Sequence, residues 1–159
     1  MPANKRTPQD ERSAATRSKL IEGAYSILRE NGHAGFRLSD IATRTGISRG
    51  GLLHHYRSKD ELIAAVFEHI LDSMERETRS ALKAAGDNQL LGELVAAAQR
   101  RFFGDPYRIL LDILTASAED SPVRTVQRTY CAPENRTARM EWAERIADRK
   151  STRLNSSHT

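Results

Sequence analysis

The chain has 159 residues, room for one helical unit or for a small domain joined to a modest second one, but not for two full-sized domains. Its formal net charge is +4, with the excess at one end: residues 1–60 hold 11 Lys/Arg against 6 Asp/Glu and the remainder 14 against 15, so the N-terminal part favours an anionic partner, nucleic acid ahead of membrane. The single cysteine, Cys131, excludes an internal disulfide and a cysteine-built metal framework, while the lack of an apolar leader or of a run of about 20 apolar residues predicts a cytoplasmic protein that does not bind membranes.

Residues 1–12 are polar and are expected to form a flexible arm, although Thr7-Pro8 offers an earlier helix start. From Ser13 to Glu30, the residues Leu20, Ile21, Ala24, Ile27 and Leu28 share one helix face, and Asn31-Gly32 ends it. A second helix fits Leu38–Arg44 and stops at Thr45-Gly46. A third fits Ser48–His54, with Ser48 placed to cap its first turn. Ser58 and Glu61 have the spacing of a capping box and open a long pattern through Leu62, Ile63, Val66, Phe67, Ile70, Leu71 and Met74, running to about Ala85, where Gly86-Asp87-Asn88 breaks it.

Two further stripes follow, Leu90, Leu91, Leu94, Val95, Ala98 and Phe102, then Ile109, Leu110, Ile113 and Leu114 after an Asp105-Pro106 start. Pro122 begins another helix, and Pro133 ends or kinks it before Met140–Ala147. No segment alternates as a strand would and no repeat is evident, so the fold class is all-α. Residues 151–159 read as a disordered tail whose wording resembles translated adapter sequence. They are therefore treated as non-native and the second domain as incomplete. The expected organisation is an arm at 1–12, a first helical domain at 13–60, a second helical domain at 61–150, and the tail.

The block from Leu38 to Tyr56 carries the function. A helix-turn-helix needs a short helix with an inward apolar face, a tight turn, and a second helix whose exposed face enters the major groove. Leu38, Ile41 and Ala42 supply the first face, Gly46 the turn, and Ile47 and Leu52 the contacts that fix the crossing angle. The second helix is expected to expose Ser48, Arg49, Gly51, Leu53 and His54. Asp40-Ile41-Ala42, Gly46-Ile47-Ser48, Gly50, His55-Tyr56 and Ser58-Lys59 together resemble the DNA-binding domain of the TetR family of repressors, continuously over about residues 14–66.

The resemblance implies a recognition helix beginning at Ser48, Arg49 at the DNA surface, and phosphate contacts from His54 and Lys59. Arg37 and Arg44 are further phosphate candidates by charge, and Arg49 has the donors for either a guanine edge or a phosphate. Gly51 stands where many members have threonine and Leu53 where many have tyrosine, so fewer side chains read the operator and DNA shape is expected to contribute more. The pair Gly50-Gly51 also weakens the helix by about 1 kcal/mol per glycine relative to alanine. Arg37 replaces the usual hydroxyl cap of the second helix, which leaves Ser39 or a water to serve.

The family's mode of action implies a homodimer on a palindromic operator, with an unidentified small-molecule effector changing the separation of the two recognition helices. Phe67, Phe102, Phe103, Tyr107, Tyr130 and Trp142 are candidate lining for that effector's pocket, or plain core. A constitutive DNA-binding protein without an effector is the alternative. No nucleophile elbow, phosphate loop or metal-ligand spacing supports an enzyme, and no cofactor is expected. His54 and His55 lie about 100° apart on a helix and so do not form a one-face metal pair, and Cys131 is expected to be inert.

Overall fold

The computed structural model describes residues 8–84, 90–133 and 135. Among these the regular structure is seven helices and no strand: α1 (Pro8–Asn31), α2 (Leu38–Thr45), α3 (Arg49–His55), α4 (Lys59–Ala84), α5 (Leu90–Phe103), α6 (Asp105–Ala116) and α7 (Pro122–Cys131). The chain divides into two compact units between Arg124 and Thr125, within α7. The expected segment Met140–Ala147, the 151–159 tail, Trp142 and the break at Gly86–Asn88 lie outside the described residues. None of the described helices is long and apolar enough to cross a membrane.

Helix α1 begins at Pro8, five residues ahead of the expected start at Ser13. Proline has its φ already set for a first turn, and Asp10 and Glu11 place acid against the positive end of the helix dipole. These first residues are exposed, so they carry no apolar stripe to reveal them in the sequence. The core proper begins at Leu20. Leu20, Ala24, Ile27 and Leu28 are buried against Ile41 of α2, Leu62, Ile63, Val66, Phe67 and Ile70 of α4, and Ile109 and Ile113 of α6. Each stripe is the i, i+3, i+4 face of its own helix, so the helices form and pack for one reason.

α1 and α2 approach closely at Gly23. A Cβ placed there would lie 2.5 Å from Cγ2 of Thr45, well inside contact distance, so glycine is what allows the two helices to meet. Thr45 is buried, and its hydroxyl donates to the Ile41 carbonyl at 2.8 Å, which leaves its methyl turned towards α1. Gly46 follows in the left-handed region, at φ 67°, and turns the chain from α2 towards α3.

Candidate nucleic-acid interface

Helix α3 is seven residues long and is held at both ends. Its N-cap is Ser48, whose Oγ accepts from the Gly51 amide at 3.1 Å. At its other end the Tyr56 amide returns to the Leu52 carbonyl at 2.9 Å, and the Tyr56 ring is buried. That burial raises the Tyr56 phenol above its ordinary pKa. Leu52 is fully buried and fixes one side of α3 to the core.

The outward side carries Arg49, Gly50, Leu53 and His54, all exposed. At 100° per residue they span about 140° of the helix, a continuous face wide enough to meet a groove. Leu53 is 38 % exposed, an apolar group left in water. Gly51 departs from expectation: it is half-buried, because its position on the helix turns it inward, 3.2 Å from Cγ2 of Ile47 for an added Cβ. Gly50 is the open one, with no heavy atom within 4 Å of where its Cβ would stand.

Lys59 opens α4 immediately beyond. Ser58 Oγ accepts from the Glu61 amide at 3.0 Å, and the Glu61 carboxylate reaches back to the Arg57 amide. This is the expected capping box with its return bond one residue earlier than the usual N-cap amide. The Lys59 ammonium stands 5.5 Å from the centroid of the buried Phe36 ring, a cation–π contact that steadies it at the start of the helix.

Arg37 is exposed at the head of α2 and makes no side-chain cap. Ser39, expected to cap in its place, instead donates its hydroxyl to Asp40 Oδ1 at 3.1 Å. Arg44 is engaged: its two terminal nitrogens donate to the two oxygens of Glu30 at 2.6 Å each. That bidentate pair lowers the Glu30 pKa and raises that of Arg44. Glu30, and Phe36 beneath Lys59, are the residues that sequence reasoning missed. Their partners are 14 and 23 positions away, beyond any helical period.

His55 is half-buried, its ring edge-to-face with His54 at 5.4 Å. Burial, with His54 and Arg17 nearby, lowers its pKa. The described aromatic candidates for an effector pocket differ in their surroundings. Phe67 is buried in the helical core, Phe102 and Tyr107 meet edge-to-face at 5.2 Å, and Phe103 is 88 % exposed. Tyr130, half-buried, belongs to the second compact unit. Cys131 is exposed.

A capped helix with one buried and one solvent-facing side, set behind a left-handed glycine turn, is a helix-turn-helix, the arrangement that presents a helix to the major groove of DNA. Residues 20–66 match the family described as bacterial regulatory proteins, tetR family. Over 127 residues, 79 % of this chain and 63 % of the relative, it is 36 % identical to the HTH-type transcriptional regulator CymR of Pseudomonas putida. It is also 33 % identical over 98 residues to the HTH-type transcriptional activator FasR of Mycolicibacterium smegmatis, spanning 62 % of this chain and 42 % of that one. A third relative, the HTH-type transcriptional regulator TtgR of Pseudomonas putida, is 34 % identical over 79 residues, half of this chain and 35 % of its own length. No solved structure matches the chain significantly. Residues 20–66 thus carry the region that the tetR family model describes, and the chain spans less than two thirds of the length of each of these relatives.

Proposed function

We propose that the chain is a sequence-specific transcriptional repressor of the cytoplasm, acting as a homodimer on a palindromic operator and released by a small-molecule effector. The observation that carries the DNA-binding part is the outward face of α3, where Arg49, Gly50, Leu53 and His54 stand free while Leu52 and Tyr56 anchor the opposite side. Arg49 and His54 supply charge and donors, Leu53 an apolar contact, and Gly50 a place where backbone approaches the bases. Lys59, Arg37 and the amides at the start of α4 serve phosphates on either side. Ser48 acts through its cap, and Gly51 through the tight turn of the backbone beside Ile47. Residues 61–150 are the effector-binding and dimerisation region in this reading. Regulators are what the relatives are, which points away from catalysis.

The test is selection of duplexes from a random-sequence pool, followed by affinity at several salt concentrations and mass in solution with and without the recovered duplex. Enrichment of a two-fold symmetric site, bound by two chains with a steep salt dependence, is the expected result. Recovery of no common sequence would overturn it. A regulator without an effector is the second reading, favoured by the exposure of Phe102 and Phe103, two of the expected pocket-lining residues. A small-molecule screen read by release of the bound duplex separates the two.

A further inference from the structure

A helix leaves its last carbonyls without partners inside the helix. At the end of α1 one of these carbonyls finds its partner on α6, and so does the first amide beyond Gly32. Arg108 Nη2 donates to the Arg29 carbonyl at 3.1 Å. One turn further along α6, the Asp112 carboxylate accepts from the His33 amide at 2.6 Å. After a left-handed glycine such as Gly32, the next amide commonly turns back to the helix's own carbonyls. Here only the Gly32 amide does so, reaching the Leu28 carbonyl at 3.0 Å, and the His33 amide crosses to the other helix. Gly32 is fitted to that crossing, since an added Cβ would stand 3.1 Å from Asp112 Oδ2.

The other side of the same turn of helix is tied to α2. Glu30 receives both terminal nitrogens of Arg44, two residues before the Gly46 turn that leads into α3. Residues 29–33 are therefore gripped by α6 through two contacts and grip α2 through a bidentate third. Apolar packing among α1, α4 and α6 is non-directional and tolerates small sliding and rotation. Hydrogen bonds at 2.6–3.1 Å require direction as well as distance, so these contacts fix the angle that the packing leaves free.

We propose that Asp112 and Arg108 are positioning residues for the recognition helix: they lock the end of α1 to α6, and through Glu30 and Arg44 that end sets the attitude of α2 and α3. The consequence for regulation is that a movement of α6 reaches the helix-turn-helix through this polar latch. The proposal rests on the reading of α3 as the DNA-reading helix, but its first test uses no DNA.

The experiment is amide NMR on the free chain with Asp112→Ala, Asp112→Asn and Arg108→Ala. D112A is expected to speed exchange of the His33 amide roughly tenfold, as loss of a part-buried hydrogen bond does, and to shift the amide resonances of Arg44–Leu52. D112N keeps a side-chain carbonyl able to accept from His33, and is expected to restore both. Shifts confined to residues 29–36 and 105–116 would overturn the proposal, because the latch would then be local. Should D112A not fold, R108A carries the same test from an exposed position. With a duplex recovered from the random pool, D112A is expected to bind several-fold more weakly and D112N like the parent. Unchanged affinity of D112A would also overturn the positioning role, whereas failure of the parent to bind any duplex would overturn the DNA-binding reading alone.

Discussion

Replacing Gly50 by alanine separates what the recognition helix needs for folding from what it needs for DNA. Gly50 lies in the first turn of α3, with nothing within 4 Å of an added Cβ, so the methyl group meets no protein atom in the free chain. Alanine loses less backbone freedom on folding than glycine, which in a helix interior is worth about 1 kcal/mol and near an end roughly half of that. The expected stabilisation is therefore about 0.5–1 kcal/mol. With a urea slope of about 1.5 kcal/mol/M, this raises the unfolding midpoint by about 0.3–0.7 M. On DNA the sign reverses: the methyl sits on the outward face beside Arg49 and Leu53, where the backbone is to approach the groove, and affinity for the selected duplex is expected to fall several-fold. A G50A chain that is no more stable than the parent would refute the helix argument. One that is more stable and binds as well would refute the claim that this glycine exists for the DNA.

Four other outcomes follow from the structure. Gly23→Ala forces a Cβ to within 2.5 Å of the buried Thr45 methyl. Overpacking of about 1–3 kcal/mol outweighs the gain of about 1 kcal/mol in helix propensity, so urea denaturation should show a net loss where G50A shows a gain. Lys59→Ala should reduce the slope of log affinity against log salt by about one unit for all duplexes alike. Arg49→Ala should instead relax the preferred sequence at one position if its guanidinium reads a base, as reselection of duplexes would show. Acidification should weaken the fold through His55. Its pKa is lowered in the folded chain, so the unfolded chain takes up the proton first once the pH drops below about 6.5. The stability contributed by the neutral ring is present above that value and lost as pH falls through the lower folded one. Urea midpoints between about pH 7.5 and pH 5.5 should therefore fall less in His55→Gln than in the parent. Glu30, with its pKa lowered by Arg44, keeps its charge in this range and does not confound the comparison.

Local chemistry made much of the fold readable. The caps at Ser48 and Ser58, the glycines at 32 and 46, and the prolines at 8, 106 and 122 are each a backbone requirement met by one residue type, and the helices begin or end where those residues stand. The start of α1 is less visible, because its exposed residues have no periodic face and only proline marks them. At the interface, the exposure of Arg49, Leu53 and His54 follows from helical spacing, whereas Gly51, expected on the same face, turns inward beside Ile47. Arg44 shows the limit most clearly. Its charge is plain in the sequence, but its partner Glu30 belongs to another helix, and no local pattern links them. Phe102 and Phe103 were grouped as pocket lining, although neighbours on a helix face about 100° apart, and the structure leaves Phe103 in solvent.

The bonds that finish α1 join residues 79 positions apart in the chain. A nascent chain that has reached the end of α4 thus has the hydrophobic face of α1 covered in part and its last turn still open, and that turn closes only when α6 arrives. Such long-range closure slows the final folding step relative to one built from neighbouring contacts, and it binds the two halves into one cooperative transition. A fragment ending at Ala84 would fray from Asn31 backwards. The helix-turn-helix of this chain is consequently not a free-standing module to be grafted elsewhere, because its geometry is completed by a helix that lies far beyond it in sequence.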